Sequence, residues 1–289
     1  MIAAVHILLS VPAYRDCLLA LAALDLSQMS PVAQTLVSLT MALQSGRNRH
    51  VAFQRFAQAA AYNSDTQLHV RYGQGQNDCS EFFLDVTAHM REQPLAKVLG
   101  NNPFDAASQF LSRTQLECVA CGRSWPVRKP PEHRFDRSVT ISTSAMSDGD
   151  SWSTALEKDS GSSPAEGFRC KDCAMFNLVV KRSFFETTPS VLTVLISRRE
   201  GAVRSRKLVV LPTEAAVSSF GGARFRFLAC AMHHGHSLSS GHYTALVCRG
   251  SAAFLCNDNT VSECDLDATL SSAETRANAV FAVYARVQS

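Results

Sequence analysis

Gly241-His242-Tyr243, followed one strand later by Asn257-Asp258-Asn259-Thr260-Val261, pairs an imidazole with a side-chain oxygen able to orient it. His242 opens a short strand, and the turn after the next strand delivers Asn257 and Asp258, within hydrogen-bond reach of a cross-strand neighbour. A base that takes a proton from a nucleophile needs a third group on its other ring nitrogen to fix tautomer and orientation. Base and orienter are both legible here, and a matching nucleophile is not. A structural histidine, satisfied by the same neighbour, is the competing reading. His233, His234 and His236, just upstream, read as a polar loop.

Outward from this stretch, the closing half reads as sheet. Short β-rich runs at Phe225–Ala231, Tyr243–Val247, Ala253–Cys256 and Val280–Val287 are separated by Gly, Ser and Asn turns, a spacing that suits antiparallel pairing. Further strands are expected at 137–142, 178–184 and 191–196. The first hundred residues instead carry helical periodicity: Val32, Leu36, Leu39 and Leu43 in one run, Val51, Phe53 and Phe56 in the next, then Phe82, Phe83, Val86 and Met90. Asp78 caps the last run, with Glu81 three residues on as in a capping box. Ser144–Gly167, rich in Ser, Gly and Asp, is expected to be a flexible surface excursion with one helical turn. The fold class is therefore α+β, helices first and an antiparallel sheet after.

Two Cys-x-x-Cys pairs, Cys118/Cys121 and Cys170/Cys173, each present two thiolates from a tight turn, and together they offer the four-sulfur shell that zinc prefers. Four thiolates leave no open position for water, so one structural zinc ion is expected. The bland alternative is four small buried hydrophobes. Paired ligands point to a reducing compartment and free thiols among all ten cysteines.

Composition narrows the rest. With 289 residues, 46% hydrophobic and 18% charged, the chain can bury a large core, and a net charge of +3 gives no footprint for nucleic acid or an anionic membrane. Arg123, Arg128, Lys129 and Arg134 could serve a zinc-ribbon nucleic-acid binder, but they lack interleaved aromatics for base stacking and read as a solvated face. The apolar opening, Ile2–Pro12, is too short to span a bilayer and lacks the basic segment and cleavage site of a signal peptide. A cytoplasmic or nuclear location is expected, with no membrane and no nucleic-acid partner.

Taken in order, these residues resemble the ubiquitin-specific protease family of cysteine deubiquitinases. Gln76-Asn77-Asp78-Cys79-Ser80-Glu81-Phe82 is similar to the family's Gln-Gln-Asp-Ala-His-Glu-Phe helix start. The two Cys pairs resemble its zinc knuckles, Pro189-Ser190-Val191-Leu192 leading to Arg198-Arg199 resembles its Pro-x-x-Leu to Lys-Arg-Phe strand, and Gly241-His242-Tyr243 and Asn257-Asp258 follow in family order. The resemblance implies a papain-like hand fold with a helical thumb (1–112), zinc-binding β fingers (113–185, with the insert 144–167) and an antiparallel β palm (186–289), forming one catalytic domain. It implies His242 as general base, Asn257 as its orienter with Asp258 as neighbour or substitute, and Asp78, Glu81 and Tyr243 as contacts for the ubiquitin tail. Zinc would sit on Cys118, Cys121, Cys170 and Cys173, and the expected partners are ubiquitin and its conjugates, bound by a monomer.

Three positions depart from the family pattern: His6 where Gln is usual, Ser80 for His, and the glycine spacing around His234–His236. A larger departure concerns the nucleophile. When Val5-His6-Ile7 to Pro12-Ala13-Tyr14-Arg15 is aligned with the helix that follows the family's cysteine, that cysteine falls just ahead of Met1, and the oxyanion-stabilising Asn with it. The chain as written is expected to lack its own nucleophile. Cys17 and Cys79 are the candidate substitutes, and both are expected to pack rather than attack. A deubiquitinase missing its nucleophile segment is the first functional reading; a catalytically inactive ubiquitin-binding pseudoenzyme is the alternative.

Overall fold

The computed structural model describes residues 1–62, 78–94, 99–100, 102–126, 134–160, 163–176, 178–201, 203–237, 240–258 and 260–288. Gln76, Asn77, Arg128, Lys129, Asn259 and the side chain of Arg134, singled out above, lie outside this set.

The chain opens with α1 (Ile2–Ser10) and α2 (Pro12–Leu21), which meet at a bend of 94°. Val11 is extended and Pro12 occupies the first turn of α2, because proline disfavours helical backbone in the residue before it yet suits a helix start. In α3 (Pro31–Ser45) the Ser30 side chain accepts from the Ala33 N–H at one end, and Gly46 closes the other in the left-handed region. Next come α4 (Arg49–Tyr62), α5 (Cys79–Glu92) and α6 (Pro103–Ser108). Asp78 caps α5, accepting from the backbone N–H of Ser80 and Glu81. Among the described residues no single helix is long and apolar enough to cross a membrane.

Two sheets follow. The smaller has the strand order β2 (Ser124–Pro126), β1 (Phe110–Cys118), β6 (Val179–Phe185), β5 (Ser163–Pro164), with β3 (Arg134–Asp136) also paired to β1. The larger runs β14 (Thr260–Cys264), β13 (Ala252–Asn257), β12 (His242–Arg249), β11 (Ala223–His234), β15 (Ala279–Arg286), β7 (Val191–Ser197), β4 (Ser138–Ser142), and β10 (Glu214–Val217) joins β11. It is antiparallel except for β4, which lies parallel to β7. A small hairpin of β8 (Arg199–Glu200) and β9 (Val203–Arg204) completes the strands.

The large sheet is buried on both faces. One face carries Ala229, Ala231, Ala245, Val247, Phe281 and Val283 against the helices, and α1 is its inner layer, with residues 3–10 all buried. Burial of Val5, Ile7, Leu8 and Leu9 contributes about 1.5–3 kcal/mol each. The other face packs Leu192, Phe225, Phe227, Leu246 and Tyr284 around Trp152. This corrects the reading of Ser144–Gly167 as a surface excursion. The segment holds α7 (Trp152–Ser160), with Trp152 fully buried and Ala155 and Leu156 beside it. Two short helices, α8 (Leu266–Ser271) and α9 (Ala273–Asn278), lead into β15.

Candidate active site

His242 begins β12 and Asn257 ends β13, so pairing of these two strands brings both to the same end of the large sheet. His242 Nε2 and Asn257 Oδ1 are 2.6 Å apart. With a carboxamide oxygen as acceptor, Nε2 carries the ring proton and Nδ1 is left with a lone pair, the state a base requires. The Asp258 carboxylate lies 4.0 Å from the same Nε2, on a residue with φ of 49°. That left-handed turn lets Asp258 flank the imidazole while Asn257 bonds it.

What fixes the backbone ahead of His242 is close packing. A Cβ at Gly241 would lie 2.1 Å from His233 Nε2 and 2.7 Å from the His234 carbonyl, so only glycine fits. His233, expected in a loop, is instead a buried residue of β11 whose ring stacks on Tyr243 at 4.6 Å. His234 is likewise a strand residue, paired with His242, its Nε2 2.7 Å from Thr244 Oγ1. Burial lowers the pKa of both imidazoles. His236 does lie outside the strand.

A group that the sequence reading missed secures this turn. Arg204 donates to the carbonyls of His233 (2.6 Å) and Gly235 (2.7 Å), and Arg206 donates to Gly235 (2.5 Å) and to Asn278 Oδ1 (2.7 Å). Arg198, noticed only as a strand landmark, is 3% exposed and spends its guanidinium on the carbonyls of Ala279, Lys207 and Arg276. Burial pushes its pKa down to about 9. The sequence signal was Arg-x-Arg at 204–206, but nothing local marks the carbonyls of His233 and Gly235, on a later strand and its turn, as its partners.

On the other flank, Tyr243 reaches the start of α5. Burial raises its phenol pKa, the neighbouring Asp78 raises it further, and the Cys79 backbone N–H is directed at the oxygen. All the cap bonds of Asp78 fall on Oδ1, which leaves Oδ2 without a partner among the described residues. Glu81 is exposed on the first turn of α5. The N-terminal turn of α1 adjoins the same place, with the Ala4 N–H directed at the Cys79 sulfur. Asp78, Tyr243, His242 and Asn257 thus gather around the start of α1, and Glu81 lies one turn further along α5.

None of the ten thiols is hydrogen bonded to His242. Cys79 is 1% exposed and burial pushes its pKa up to about 12; Cys17 is buried and pushed up to about 11. Cys230 and Cys256 are buried in the large sheet, while Cys248 and Cys264 are only half-buried. The remaining four thiols form a cluster at the far end of the small sheet, their sulfurs all within 4.8 Å of one another. Cys118 and Cys173 are 3.6 Å apart, as are Cys121 and Cys170. Backbone N–H groups of Cys173 and Asp172 point at the Cys170 sulfur and draw its pKa down to about 7. Four converging sulfurs, one already favouring the thiolate, can hold a metal ion.

The model of the ubiquitin carboxyl-terminal hydrolase family matches residues 1–284. The chain belongs to that family. No curated protein matches it in sequence. Among solved structures, the SAGA DUB module of Ubp8, Sgf11, Sus1 and Sgf73 bound to monoubiquitin superimposes with a TM-score of 0.80 at 16% identity, covering 99% of this chain and 66% of that one. The same module bound to ubiquitin aldehyde gives 0.77 at 16% identity, over 99% and 67%. The yeast SAGA module with a substituted Sgf73 gives 0.77 at 14%, over 99% and 66%. The chain therefore spans about two thirds of the length of these structures. The likeness establishes the fold: the hand of the ubiquitin-specific proteases, with α1–α6 as thumb, the small sheet as fingers and the large sheet as palm.

Proposed function

We propose that this chain is the catalytic domain of a ubiquitin-specific cysteine protease, shaped to hydrolyse the isopeptide or peptide bond after the terminal glycine of ubiquitin. The reading is carried by the 2.6 Å bond from His242 to Asn257 in a chain of this family. In the reaction a thiol supplied from ahead of α1, at the helix start where the dipole favours thiolate, gives its proton to His242 Nδ1. The sulfur attacks the carbonyl carbon, the C–N bond breaks as His242 passes the proton to the leaving amine, and water hydrolyses the thioester to free the carboxylate and restore the thiol. Asn257 fixes the tautomer, with Asp258 as its neighbour. Oδ2 of Asp78, together with Glu81 and Tyr243, binds the backbone of the ubiquitin tail.

The fingers would hold the body of ubiquitin. Val119, Phe168, Met175 and Phe176, all exposed around the thiol cluster, give them an apolar surface that suits such a partner. The cluster suits zinc: a tetrahedron with Zn–S bonds of about 2.3 Å has sulfur–sulfur edges of roughly 3.8 Å, close to the spacing of the two near pairs. Zinc there would be structural, tying the hairpin after β1 to the turn before β6. We propose one catalytic domain in a cytoplasmic or nuclear protein; the expected fingers range of 113–185 is too wide, because β4 and α7 within it belong to the palm. The solved relatives sit in modules of several proteins, which weighs against the expected monomer.

Two readings remain for the nucleophile. In the first it belongs to sequence ahead of Met1; in the second the domain binds ubiquitin without cleaving it. The test uses ubiquitin carrying a thiol-reactive group at its C-terminus. These 289 residues are expected to bind ubiquitin and form no adduct. Labelling abolished by Cys17→Ala or Cys79→Ala would overturn the assignment of those thiols as packed. A polypeptide extended upstream that labels only while His242 is intact supports the hydrolase. Absence of labelling supports the binder, and failure to bind ubiquitin sinks both.

A further inference from the structure

β12 outruns one of its neighbours at the end that carries the imidazole. Its pairing with β13 begins only at Ala245, opposite Cys256, so His242, Tyr243 and Thr244 find their strand partners on β11 alone, opposite His234, His233 and Met232. The end of a ladder held from one side is where a sheet frays first. Yet the imidazole meets Asn257 Oδ1 at 2.6 Å, and a drift of about 1 Å in the His242 backbone would stretch that pair out of hydrogen-bond range. The aim of the base therefore depends on what holds the end of β11.

Arg204, the last residue of β9, grips that end. The two carbonyls its guanidinium takes, at 2.6 Å from His233 and 2.7 Å from Gly235, bracket His234, the residue paired with His242, and Arg206 takes the Gly235 carbonyl a second time at 2.5 Å. Both arginines also donate to Asn278 Oδ1 at the end of α9, and the Asn278 amide nitrogen donates to the Glu274 carbonyl at 2.9 Å. A Cβ on Gly235 would run into the Ser240 carbonyl and the Gly241 Cα, so the chain leaving β11 packs closely on the chain entering β12. Whatever fixes Gly235 also fixes the residue ahead of the imidazole.

Two neighbouring cations are an unfavourable way to stabilise a fold. Arg204 is 8% exposed, and every hydrogen bond the pair makes among the described residues ends on a neutral oxygen. Burial and the adjacent Arg206 both work against the charge on Arg204. What arginine supplies here is shape, a rigid planar fork able to reach two carbonyls and an amide oxygen at once, which an ammonium cannot do. We infer that Arg204 is a positioning residue for His242, with Arg206 as its second grip: it holds the end of β11, and through that strand the imidazole keeps its aim at Asn257 and its Nδ1 toward an incoming thiol. The inference rests on the reading of His242 as the base of a deubiquitinase.

The test reads the tautomer of His242 from the nitrogen NMR shifts of its ring in the full chain, with ubiquitin affinity measured in parallel. Arg204→Lys keeps the charge and loses the fork, and the ratio of Nε2–H to Nδ1–H forms is expected to fall about tenfold, toward that of free imidazole. Arg206→Lys, at an exposed position, is expected to lower it about threefold. In an Asn257→Ala background, where the orienting bond is already gone, neither substitution is expected to change the ratio further. Arg198→Lys removes an equally buried fork whose carbonyl partners are Ala279, Lys207 and Arg276; it is expected to lower the unfolding midpoint and leave His242 as it was. An unchanged ratio in Arg204→Lys, or in Arg206→Lys where the first variant does not fold, overturns the inference, and so does an equal fall in Arg198→Lys. A chain that shows the expected tautomer changes but fails to bind ubiquitin sinks the deubiquitinase reading and leaves the positioning of the imidazole standing.

Discussion

In the palm, β11 buries every residue from Phe227 to His233, because α1 covers one face of the sheet and α7 the other. In the fingers, β1 is longer than most palm strands yet buries only Phe110, Leu116 and Cys118, and the local cluster amounts to Leu116, Cys118, Cys170 and Val179. Both strands pair with antiparallel neighbours alone. Their difference lies in what stands behind the ladder: two packed layers in the palm, and in the fingers four sulfurs with a few side chains. A sheet without a second layer is marginal in water. The fingers need an added crosslink, and the palm does not.

The comparison is broken most severely by removing the crosslink that zinc is proposed to supply at the four sulfurs. Chelation, or Cys118→Ser, is expected to strip hydrogen-exchange protection from β1 and β6 while β11 and β15 keep theirs, since structural zinc binding is worth roughly 10–16 kcal/mol in small domains. Equal loss in both sheets would show that they fold as one unit. Next in size, Phe281→Ala in the palm core, where the ring is fully buried and packs on Phe83, is expected to cost about 3–5 kcal/mol of global stability in denaturant unfolding. The metal affinity of the fingers should be unchanged.

A third effect depends on pH and belongs to the palm and thumb alone. The His6 imidazole titrates near 4 when folded and near 6.5 when unfolded, so between these values the unfolded chain takes up a proton that the folded chain refuses. Stability from this source is fully present above pH 6.5 and is lost as pH falls through 4, an effect on the order of 3 kcal/mol. His6→Gln is expected to flatten that slope in urea titrations from pH 7 to 4, and an unchanged slope would place the acid sensitivity elsewhere. The smallest effect is at an exposed cap. Asp265 accepts from the Ala268 N–H at the start of α8, and Asp265→Ala is expected to cost about 1 kcal/mol, read as a small drop in unfolding midpoint.

Much of this architecture is visible in the chain itself, for identifiable reasons. Three helices of the thumb announce themselves because the apolar positions of α3, α4 and α5 recur at helical spacing and Asp78 caps the last of them; the caps Ser30 and Asn102 emerge only in the structure. Palm strands are legible because β-branched runs end at Gly, Ser and Asn. The thiol cluster is legible because two short knuckles need only meet. What stayed hidden was settled at long range. α7 lies in a segment whose Ser, Gly and Asp content signals a loop, and it is helical because Trp152 fills the far face of the palm. The parallel pairing of β4 with β7 leaves no local mark. The same holds for the arginines that clamp the His233 and Gly235 carbonyls, and for His6, which reads as one polar residue in an apolar helix until Asp258 is folded against it.

The absence of room at Gly241 has one more consequence. Since the backbone there touches the His233 ring, and that ring rests on Tyr243, the two neighbours of the imidazole at 242 behave as one mechanical part. Any bulk added at the β11–β12 turn, even a single methyl from Gly241→Ala, would be relayed straight into the orientation of His242, so this corner of the molecule is expected to admit no gradual adjustment over evolutionary time, only preservation or loss.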